Sequence, residues 1–286
     1  TEDWAEDAER RDFRLNAIYA AADGRLHEIV PNSVQDAIDG RVIFIGDADQ
    51  RLREDYLRIL RFFRFFAWYG TGRPDTHGLL ACTRLKDGLS GLSAERIWTE
   101  MRRLLEAPDP SRAILWMRQA GVLTRVLPES EKWGIDAMRP LIAAERAFKW
   151  QPQALLRLAA IIPHMPDRAA AVAERWKLSN AERDRLIDWA EGPDVKPDLS
   201  EAAFAKLLYR SKAHAVQDRV KLALASARAK ADANPEWLEA VANYARLTRF
   251  AENWKKPKFP LAGADMIAAG FSQGPQMGQA LLPTAF

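Results

Sequence analysis

The stretch REDYLRILRFFRFF, from Arg53 to Phe66, is the part of the sequence that most constrains the fold. It places four arginines and two acids among seven leucine, isoleucine and phenylalanine side chains. Successive residues of an α-helix are about 100° apart, so these apolar side chains would fall on nearly every side of a helix. The pattern therefore predicts a helix that is buried on most of its faces, unlike an ordinary amphipathic surface helix.

The charged residues of this stretch recur at intervals of three, at Asp55, Arg58, Arg61 and Arg64. On a helix such steps form a slowly drifting stripe over about half of the circumference. An arginine on a buried helix must either pair with an acid or face a cavity that receives an anion. Two interpretations are therefore open, an internal ion-pair network and a binding site for an anionic ligand.

The composition limits the class of protein. The chain has 286 residues, 48% hydrophobic and 28% charged, which is enough for two or three units with buried cores. Its one cysteine, Cys82, excludes a disulfide framework and indicates a reducing compartment, so we predict a cytoplasmic protein. No apolar run is long enough to span a bilayer. Because the chain starts at Thr1 in charged sequence, we expect it to belong to a longer product.

The charge is unevenly distributed. The first 40 residues hold ten acidic and four basic side chains, whereas the remainder holds 29 acidic and 38 basic ones. A basic excess fits a polyanionic partner such as nucleic acid, because Lys and Arg that neutralise phosphates release counterions. An ordinary solvated surface would explain the same excess.

The beginning of the chain has the features of β structure. Residues 12–30 predict a β-hairpin, in which Phe13, Leu15, Ala17 and Tyr19 alternate with other residues before an Asp23-Gly24 turn. A further short β run is predicted from Arg41 to Gly46. Two or three strands do not make a stable sheet alone, so these segments need other elements to cover them.

From Asp49 onward the apolar residues follow helical spacing. The segment from Ser93 to Ala107 begins with a serine cap, and the next helical segment ends at Gly121. Further helices are predicted at about 139–149, 152–162, 167–176, 180–190, 200–209, 212–231 and 235–253, separated by proline and glycine. The predicted fold class is mainly α, after a small β segment.

Four segments together resemble the class II tRNA nucleotidyltransferase and bacterial poly(A) polymerase family. Arg10-Arg11-Asp12-Phe13 with Asn16-Ala17 resembles the family motif RRDFTxNA. Glu54-Asp55, Leu57-Arg58, Arg61 and Arg64-Phe65 resemble EDxLRxxRxxRF. Glu95-Arg96-Ile97 and the segment from Pro260 to Leu282 resemble two later family elements. The four segments stand in the family's order and span nearly the whole chain.

The resemblance implies an architecture of helical neck, body and tail regions after a small β remnant of the nucleotidyltransferase head. We place the head remnant at 1–46, the neck with nucleotide-reading and RNA-binding helices at 47–130, the body at 131–258 and the tail element at 259–286. Departures from the family occur at Arg14, where members carry threonine, and at Ser33-Val34, which replace the glycines of a hinge.

The resemblance also implies roles for particular residues. Asp55 and Arg58 would read the incoming base, since an Asp accepts from the exocyclic amine of cytosine or adenine and an Arg donates to ring nitrogen or carbonyl. Uracil would present an acceptor to Asp55 and be rejected. Arg61 and Arg64 would contact the nucleotide or its phosphates. The complete predicted nucleotide-binding set is Arg10, Arg11, Asp12, Asp55, Arg58, Arg61 and Arg64, supported by Asn16, Glu54, Glu95 and Arg96.

The family's metal-binding motif is not found in this sequence. Family members hold Mg²⁺ with a D-x-D pair that follows a G-G-x-V-R-D turn, and neither precedes Arg10. Asp47 and Asp49 have the D-x-D spacing but lie in the hinge, and we expect neither to be a metal ligand. We therefore expect the Mg²⁺ ligands upstream of this chain, and no catalytic residue or nucleotide transfer in this chain alone.

The predicted function is addition of CMP and AMP, from CTP and ATP, to the 3′ end of tRNA. A poly(A) polymerase of the same family is the nearest alternative, because its base-reading pair is similar. A non-catalytic helical module that binds RNA is a second alternative, and a helical scaffold with an internal ion-pair network is a third. The four histidines are scattered without metal-ligand spacing.

Overall fold

The computed structural model describes residues 3–131, 135–257, 267, 268 and 270. Within these residues the protein is mainly helical, with a two-stranded antiparallel sheet near the beginning of the chain. This confirms the predicted fold class. The predicted tail element at 259–286 lies almost entirely outside the described residues. The boundaries at 46 and 130 remain predictions.

The elements follow one another as a helix, a hairpin and a long series of helices. The strands are β1 (Ile18–Ala20) and β2 (Leu26–Glu28). The α-helices are α1 (Trp4–Arg10), α2 (Ser33–Asp39), α3 (Ala48–Glu54), α4 (Leu57–Tyr69), α5 (Thr76–Leu85), α6 (Ala94–Leu105), α7 (Ser111–Gln119), α8 (Val122–Val126), α9 (Met138–Phe148), α10 (Ala154–Ile161), α11 (Pro166–Arg175), α12 (Asn180–Glu191), α13 (Glu201–Arg210), α14 (Ala213–Ala233) and α15 (Leu238–Asn253).

The helix that carries the phenylalanines is buried as predicted. Leu57, Ile59, Leu60, Phe62, Phe63, Phe65 and Phe66 are all buried on α4. This helix packs against α6 and α7, and together they form the centre of the largest hydrophobic core, which extends from Phe13 to Ala190. Smaller cores join α13, α14 and α15, and α9, α10 and α14. The central position of α4 makes its polar side chains part of the interior arrangement of the protein.

The predicted single helix from Arg53 to Phe66 is two helices in the structure. The chain breaks between α3 and α4 at Asp55, whose backbone is extended with φ −155° and ψ 107°. The Asp55 carboxylate accepts a hydrogen bond from the backbone N–H of Leu57 at 3.1 Å, in place of an intrahelical carbonyl. As a result, Asp55 is at a junction and only Arg58, Arg61 and Arg64 form the helical stripe.

The predicted hairpin is shorter than the segment 12–30. Arg14–Asn16 form a 3₁₀ turn rather than a strand, because the Asn16 side chain accepts a hydrogen bond from the backbone N–H of Phe13. The predicted β run from Arg41 to Gly46 forms only an isolated bridge between Phe13 and Phe44. The Asp23-Gly24 turn lies between β1 and β2 as expected.

Aromatic contacts cover this small β region. The ring of Phe13 lies 4.8 Å from that of Phe44 and 4.9 Å from that of Phe65, measured between centroids. Phe44 also stacks on Phe62 of α4 at 5.6 Å. These contacts are worth about 0.5–1.5 kcal/mol each beyond the area that they bury. They join the segment that contains Asp12 to the helix that contains the arginines.

Helix ends follow local signals in the sequence. Ser93 caps α6, with its hydroxyl accepting from the N–H of Arg96. Gly121, with φ +69°, separates α7 from α8 in the left-handed conformation that favours glycine. The later predicted helices are also present, as α9 to α15, with ends that differ by a few residues.

One buried ion pair joins α9 and α10 to the end of α6. Arg157 on α10 and Glu145 on α9 are almost fully buried, and the guanidinium donates to both carboxylate oxygens. The same guanidinium donates to the backbone carbonyls of Leu105 and Ala107, at the end of α6. It thereby satisfies carbonyls that the end of a helix leaves without partners.

We expect Arg157→Leu to lower the free energy of unfolding by about 3–5 kcal/mol, because it leaves the Glu145 carboxylate buried without its cation. Urea denaturation followed by circular dichroism measures this. Arg146→Leu is the matched control, since Arg146 pairs with Asp109 on the surface, where an ion pair is worth about 0–1 kcal/mol. The double variant Arg157→Leu, Glu145→Leu is expected to recover much of the loss. A double variant no more stable than Arg157→Leu would contradict the assignment.

We expect Cys82 to be unreactive toward a thiol reagent in the folded protein. Its side chain is fully buried, and burial raises the pKa of the Cys82 thiol far above neutral pH. The measurement is the rate of reaction with 5,5′-dithiobis(2-nitrobenzoate) at pH 8, with and without urea. Rapid modification in the absence of urea would show that the α5 face is accessible.

Candidate functional site

A network of ion pairs lies along the side of α4 that carries Arg58, Arg61 and Arg64. Asp12, which is only 6% exposed, lies between two arginines of this helix. Its carboxylate accepts from Nε of Arg58 at 2.9 Å and, through its second oxygen, from Nε of Arg61. Asp12 and Arg58 are 46 residues apart in the sequence. The fold therefore brings the motif that contains Asp12 next to the motif on α4.

Arg58 makes the largest number of contacts in this network. Its Nη1 donates to the Glu54 carboxylate and, at 2.7 Å, to the backbone carbonyl of Arg51. The hydrogen bond from Arg58 lowers the pKa of the Glu54 carboxyl, with Arg51 adding to the effect. Glu54 is therefore ionised at neutral pH, and the Arg58 guanidinium is held between Asp12 and Glu54.

The next two arginines share a second buried acid. Glu100 of α6 is 4% exposed, and its carboxylate accepts from Nε of Arg64 while lying 3.7 Å from Nη1 of Arg61. The Arg64 guanidinium also lies over the ring of Phe65, 4.5 Å from its centroid. Asp12 and Glu100 thus bracket Arg61, and the three arginines are fixed in sequence along the helix.

Asp55 is oriented by Arg96. One carboxylate oxygen of Asp55 accepts from Nη2 of Arg96 at 2.6 Å, and the other accepts from the Leu57 N–H. Arg96, which we predicted as a supporting residue, thus contacts Asp55 directly, and its role remains a prediction. Glu95, its predicted companion, instead lies 3.3 Å from Lys177 and is exposed.

Arg10 and Arg11 point away from the arginines of α4. Arg10 pairs with Glu6, and Arg11 pairs with Asp7 at 2.7 Å, so both side chains lie along α1. Among the described residues, neither side chain contacts Arg58, Arg61 or Arg64. The carbonyl of Arg11 joins this segment to α3, because it accepts from Nη2 of Arg51 at 2.7 Å.

Two residues of the network were not among the predicted ones. Arg51 donates to Glu54 at 2.6 Å as well as to Arg11, and Glu100 holds Arg61 and Arg64. The signal for Glu100 was available in the sequence. It shares a helix face with the apolar residues Ile97, Met101 and Leu104, where an acid requires a buried cation. The acids required by the ion-pair interpretation are therefore Asp12, Glu54 and Glu100.

The hinge acids do not fit a Mg²⁺ site. Asp47 caps α3 by accepting from the N–H of Gln50 at 2.8 Å, and Asp49 pairs with Arg84. The hydrogen bond from Arg84 lowers the pKa of the Asp49 carboxyl. In the part of the chain that the structure describes, no group of three or more His, Cys, Asp or Glu side chains is placed to hold a metal ion. No helix there combines the length and apolar character needed to cross a membrane.

The chain is similar in sequence to proteins of known activity. Residues 75–133, which begin at the cap of α5, match the family model described as "Probable RNA and SrmB- binding site of polymerase A". The mouse protein "CCA tRNA nucleotidyltransferase 1, mitochondrial" is 30% identical over 98% of this chain and 62% of its own length. The human protein of the same name is 27% identical with the same coverage. The chain therefore spans about three fifths of these curated relatives.

Solved structures share the fold. A Bacillus stearothermophilus CCA-adding enzyme in complex with CTP superposes with a TM-score of 0.68 at 24% identity, covering 98% of this chain and 68% of that one. A Thermotoga maritima CCA-adding enzyme complexed with tRNA_CCA gives a TM-score of 0.61 at 19% identity, covering 97% and 68%. At such identities these likenesses establish the fold alone. The motifs and the sequence relatives show that the chain belongs to the class II CCA-adding enzyme and poly(A) polymerase family.

Proposed function

We propose that this chain carries the nucleotide-reading and RNA-binding parts of a nucleotidyltransferase that adds CMP and AMP to the 3′ end of tRNA. The observation that carries the proposal is the junction between α3 and α4, where Asp55 and Arg58 are both oriented by other charged residues. The names of the mouse and human relatives support the same activity. The relatives' names include a mitochondrial location, and a cytoplasmic location remains a prediction for this chain.

The remaining hydrogen-bonding capacity of Asp55 and Arg58 suits base reading. Each Asp55 oxygen has one donor, from Arg96 or the Leu57 N–H, and a carboxylate oxygen accepts two. Hydrogen bonds to the described residues use Nε and Nη1 of Arg58, which leaves Nη2 as a donor. An acceptor beside a donor matches the amine and ring nitrogen of cytosine or adenine, and it opposes the carbonyl of uracil.

Arg61 is the better placed of the other two arginines for contact with a nucleotide phosphate. Its side chain is 29% exposed, whereas that of Arg64 is 12% exposed. Asp12 and Glu100 hold these guanidinium groups by Nε, so that the outer nitrogens can donate to phosphate oxygens. Arg10 and Arg11 would position the ribose only after release from Glu6 and Asp7 of α1.

RNA binding is proposed for the helices that match the RNA-binding family model. On α6 the side chains of Arg96, Arg102 and Arg103 are exposed to solvent. Cations on one helix next to the nucleotide-reading residues suit contacts with the phosphates of an RNA 3′ end. Such contacts hold the RNA without reading its sequence.

The chemistry of transfer requires Mg²⁺, and none of the described residues fits that ion, so no catalytic step is assigned to them. The alternative function is poly(A) addition by the same base-reading pair. The test uses the protein as it is encoded, with any sequence outside residues 1–286, together with Mg²⁺ and a tRNA that lacks its 3′ end. Two additions with CTP and one more with ATP support the proposal. A long ladder with ATP alone would establish the polymerase, and no extension would favour a non-catalytic RNA-binding module.

We expect Asp55→Ala and Arg58→Ala to reduce discrimination between CTP and UTP by at least about tenfold, because each removes one half of the recognition pair. The measurement is the ratio of kcat/KM values for the two nucleotides. Arg53→Ala is the matched control, since Arg53 is an exposed arginine of α3 outside the network. Unchanged discrimination in both variants, with the control also unchanged, would refute the base-reading assignment.

We expect Glu100→Gln to lower the free energy of unfolding by about 1–3 kcal/mol, because the partly buried guanidinium groups of Arg61 and Arg64 lose this anion. Glu95→Gln on the same helix is the control, and its exposed pair with Lys177 predicts a change below about 1 kcal/mol. Chemical denaturation measures both. Equal effects of the two substitutions would show that Glu100 does not have the proposed positioning role.

A further inference from the structure

A cavity lies away from the proposed nucleotide-reading residues. It has a volume of about 570 Å³ and is formed by the start of α9, the end of α10 with the residues that follow it, and by α12 and α14. None of the elements α3, α4 and α6, which carry the site described above, contributes to its lining. The volume falls in the range of pockets that hold small molecules.

The walls of this cavity are apolar and built mainly from small side chains. Alanines of α10 and α14, with Ala137 just before α9, leave room that larger residues would fill, and Ile162 and Leu222 complete the surface. The apolar lining residues are Ala137, Pro140, Ala159, Ala160, Ile162, Leu222, Ala225, Ala229 and Ala233. A wall of this kind accommodates the flat face of an aromatic ring or an aliphatic chain.

Trp189 contributes its indole ring to the lining. The residue is 3% exposed, and its Nε1 is buried without an acceptor among the described residues, so the apolar part of the ring faces the cavity. His164 fixes this wall, because its Nε2 lies 3.2 Å from the Trp189 carbonyl and its ring meets the indole edge to face at 5.1 Å.

The charged groups at the cavity are mostly positive. Arg219 and Lys230 line it together with one acid, Asp136. The Arg219 side chain is only 14% exposed and pairs with Asp194, which is 87% exposed and lies in solvent. Burial lowers the pKa of the Arg219 guanidinium, the effect expected of a cation that is partly removed from water. An anion inside the cavity would stabilise this cation further.

We propose that this cavity is a binding site for a small aromatic molecule that carries one anionic group. The ring would lie against the alanine wall and the Trp189–His164 pair, and the anion would bind Arg219. A purely apolar occupant, such as a helix of another protein, would leave the partly buried Arg219 cation with only the solvent-exposed Asp194 and the Pro193 carbonyl as partners.

The probe for this site is 8-anilinonaphthalene-1-sulfonate, which combines aromatic rings with a sulfonate. We expect one saturable site with enhanced fluorescence on the folded protein. Arg219→Gln and Ala229→Leu are each expected to weaken binding by about tenfold, the first by removing the cation and the second by filling the cavity. Arg228→Gln and Ala223→Leu are matched controls on α14 that do not line the cavity, and they should bind like the parent. Thermal melts confirm that all four variants are folded.

A second measurement reports on the wall itself. In a ¹H–¹⁵N spectrum the indole N–H signal of Trp189, assigned by Trp189→Phe, is expected to shift on titration with the probe. Binding that does not saturate, that is equal in all variants, or that leaves this signal unmoved would overturn the proposal. None of these outcomes depends on CMP or AMP addition, so the two proposals fail separately.

Discussion

A single buried carboxylate, that of Asp12, is the constraint on which the arrangement of the site depends. A carboxylate that is nine-tenths removed from water needs cations, and Arg58 and Arg61 supply them from a helix far along the chain. The pairing fixes where the short β segment meets α4. The aromatic contacts between Phe13 and Phe65 close the same interface from its apolar side.

The ion-pair network and the reading of a nucleotide are compatible functions of the same side chains. Asp12 and Glu100 hold their arginines through Nε, the inner nitrogen of the guanidinium. Arg58 is held further through Nη1, by Glu54 and the Arg51 carbonyl, and its Nη2 is thereby aimed in a fixed direction before any ligand arrives. Under the proposed function, such preorganisation would reduce the entropy that binding otherwise costs, so the buried acids would serve ligand binding as well as stability.

Sequence reasoning succeeded where the deciding interaction is local. The burial of α4 follows from the apolar residues around the helix, the start of α6 from Ser93 and the end of α7 from Gly121. The break at Asp55 was missed because a side-chain bond to the Leu57 N–H competes with the helix, and the spacing of charges does not reveal this competition. The extent of the hairpin was overestimated because Asn16 closes a 3₁₀ turn.

The spacing of charged residues in the sequence could not predict which distant residues pair with one another in the site. Of the predicted supporting residues, Asn16, Glu54 and Arg96 contact residues of the recognised motifs, whereas Glu95 contacts Lys177 and the residue five positions later, Glu100, contacts the arginines. Both acids lie on α6; the apolar face of this helix marks Glu100 as the buried one, but only the packing of α6 against α4 shows which cations it meets. Arg51 was missed for a similar reason, since its partner at Arg11 is 40 residues away.

The buried pair of Arg157 and Glu145 limits how the sequence can drift. One guanidinium serves a carboxylate on α9 and two carbonyls at the end of α6, so any single replacement passes through an uncompensated buried group. Replacement of this ion pair by two apolar residues requires two substitutions in quick succession. Positions 145 and 157 are therefore expected to change together, so that homologues retain both charges or have lost both.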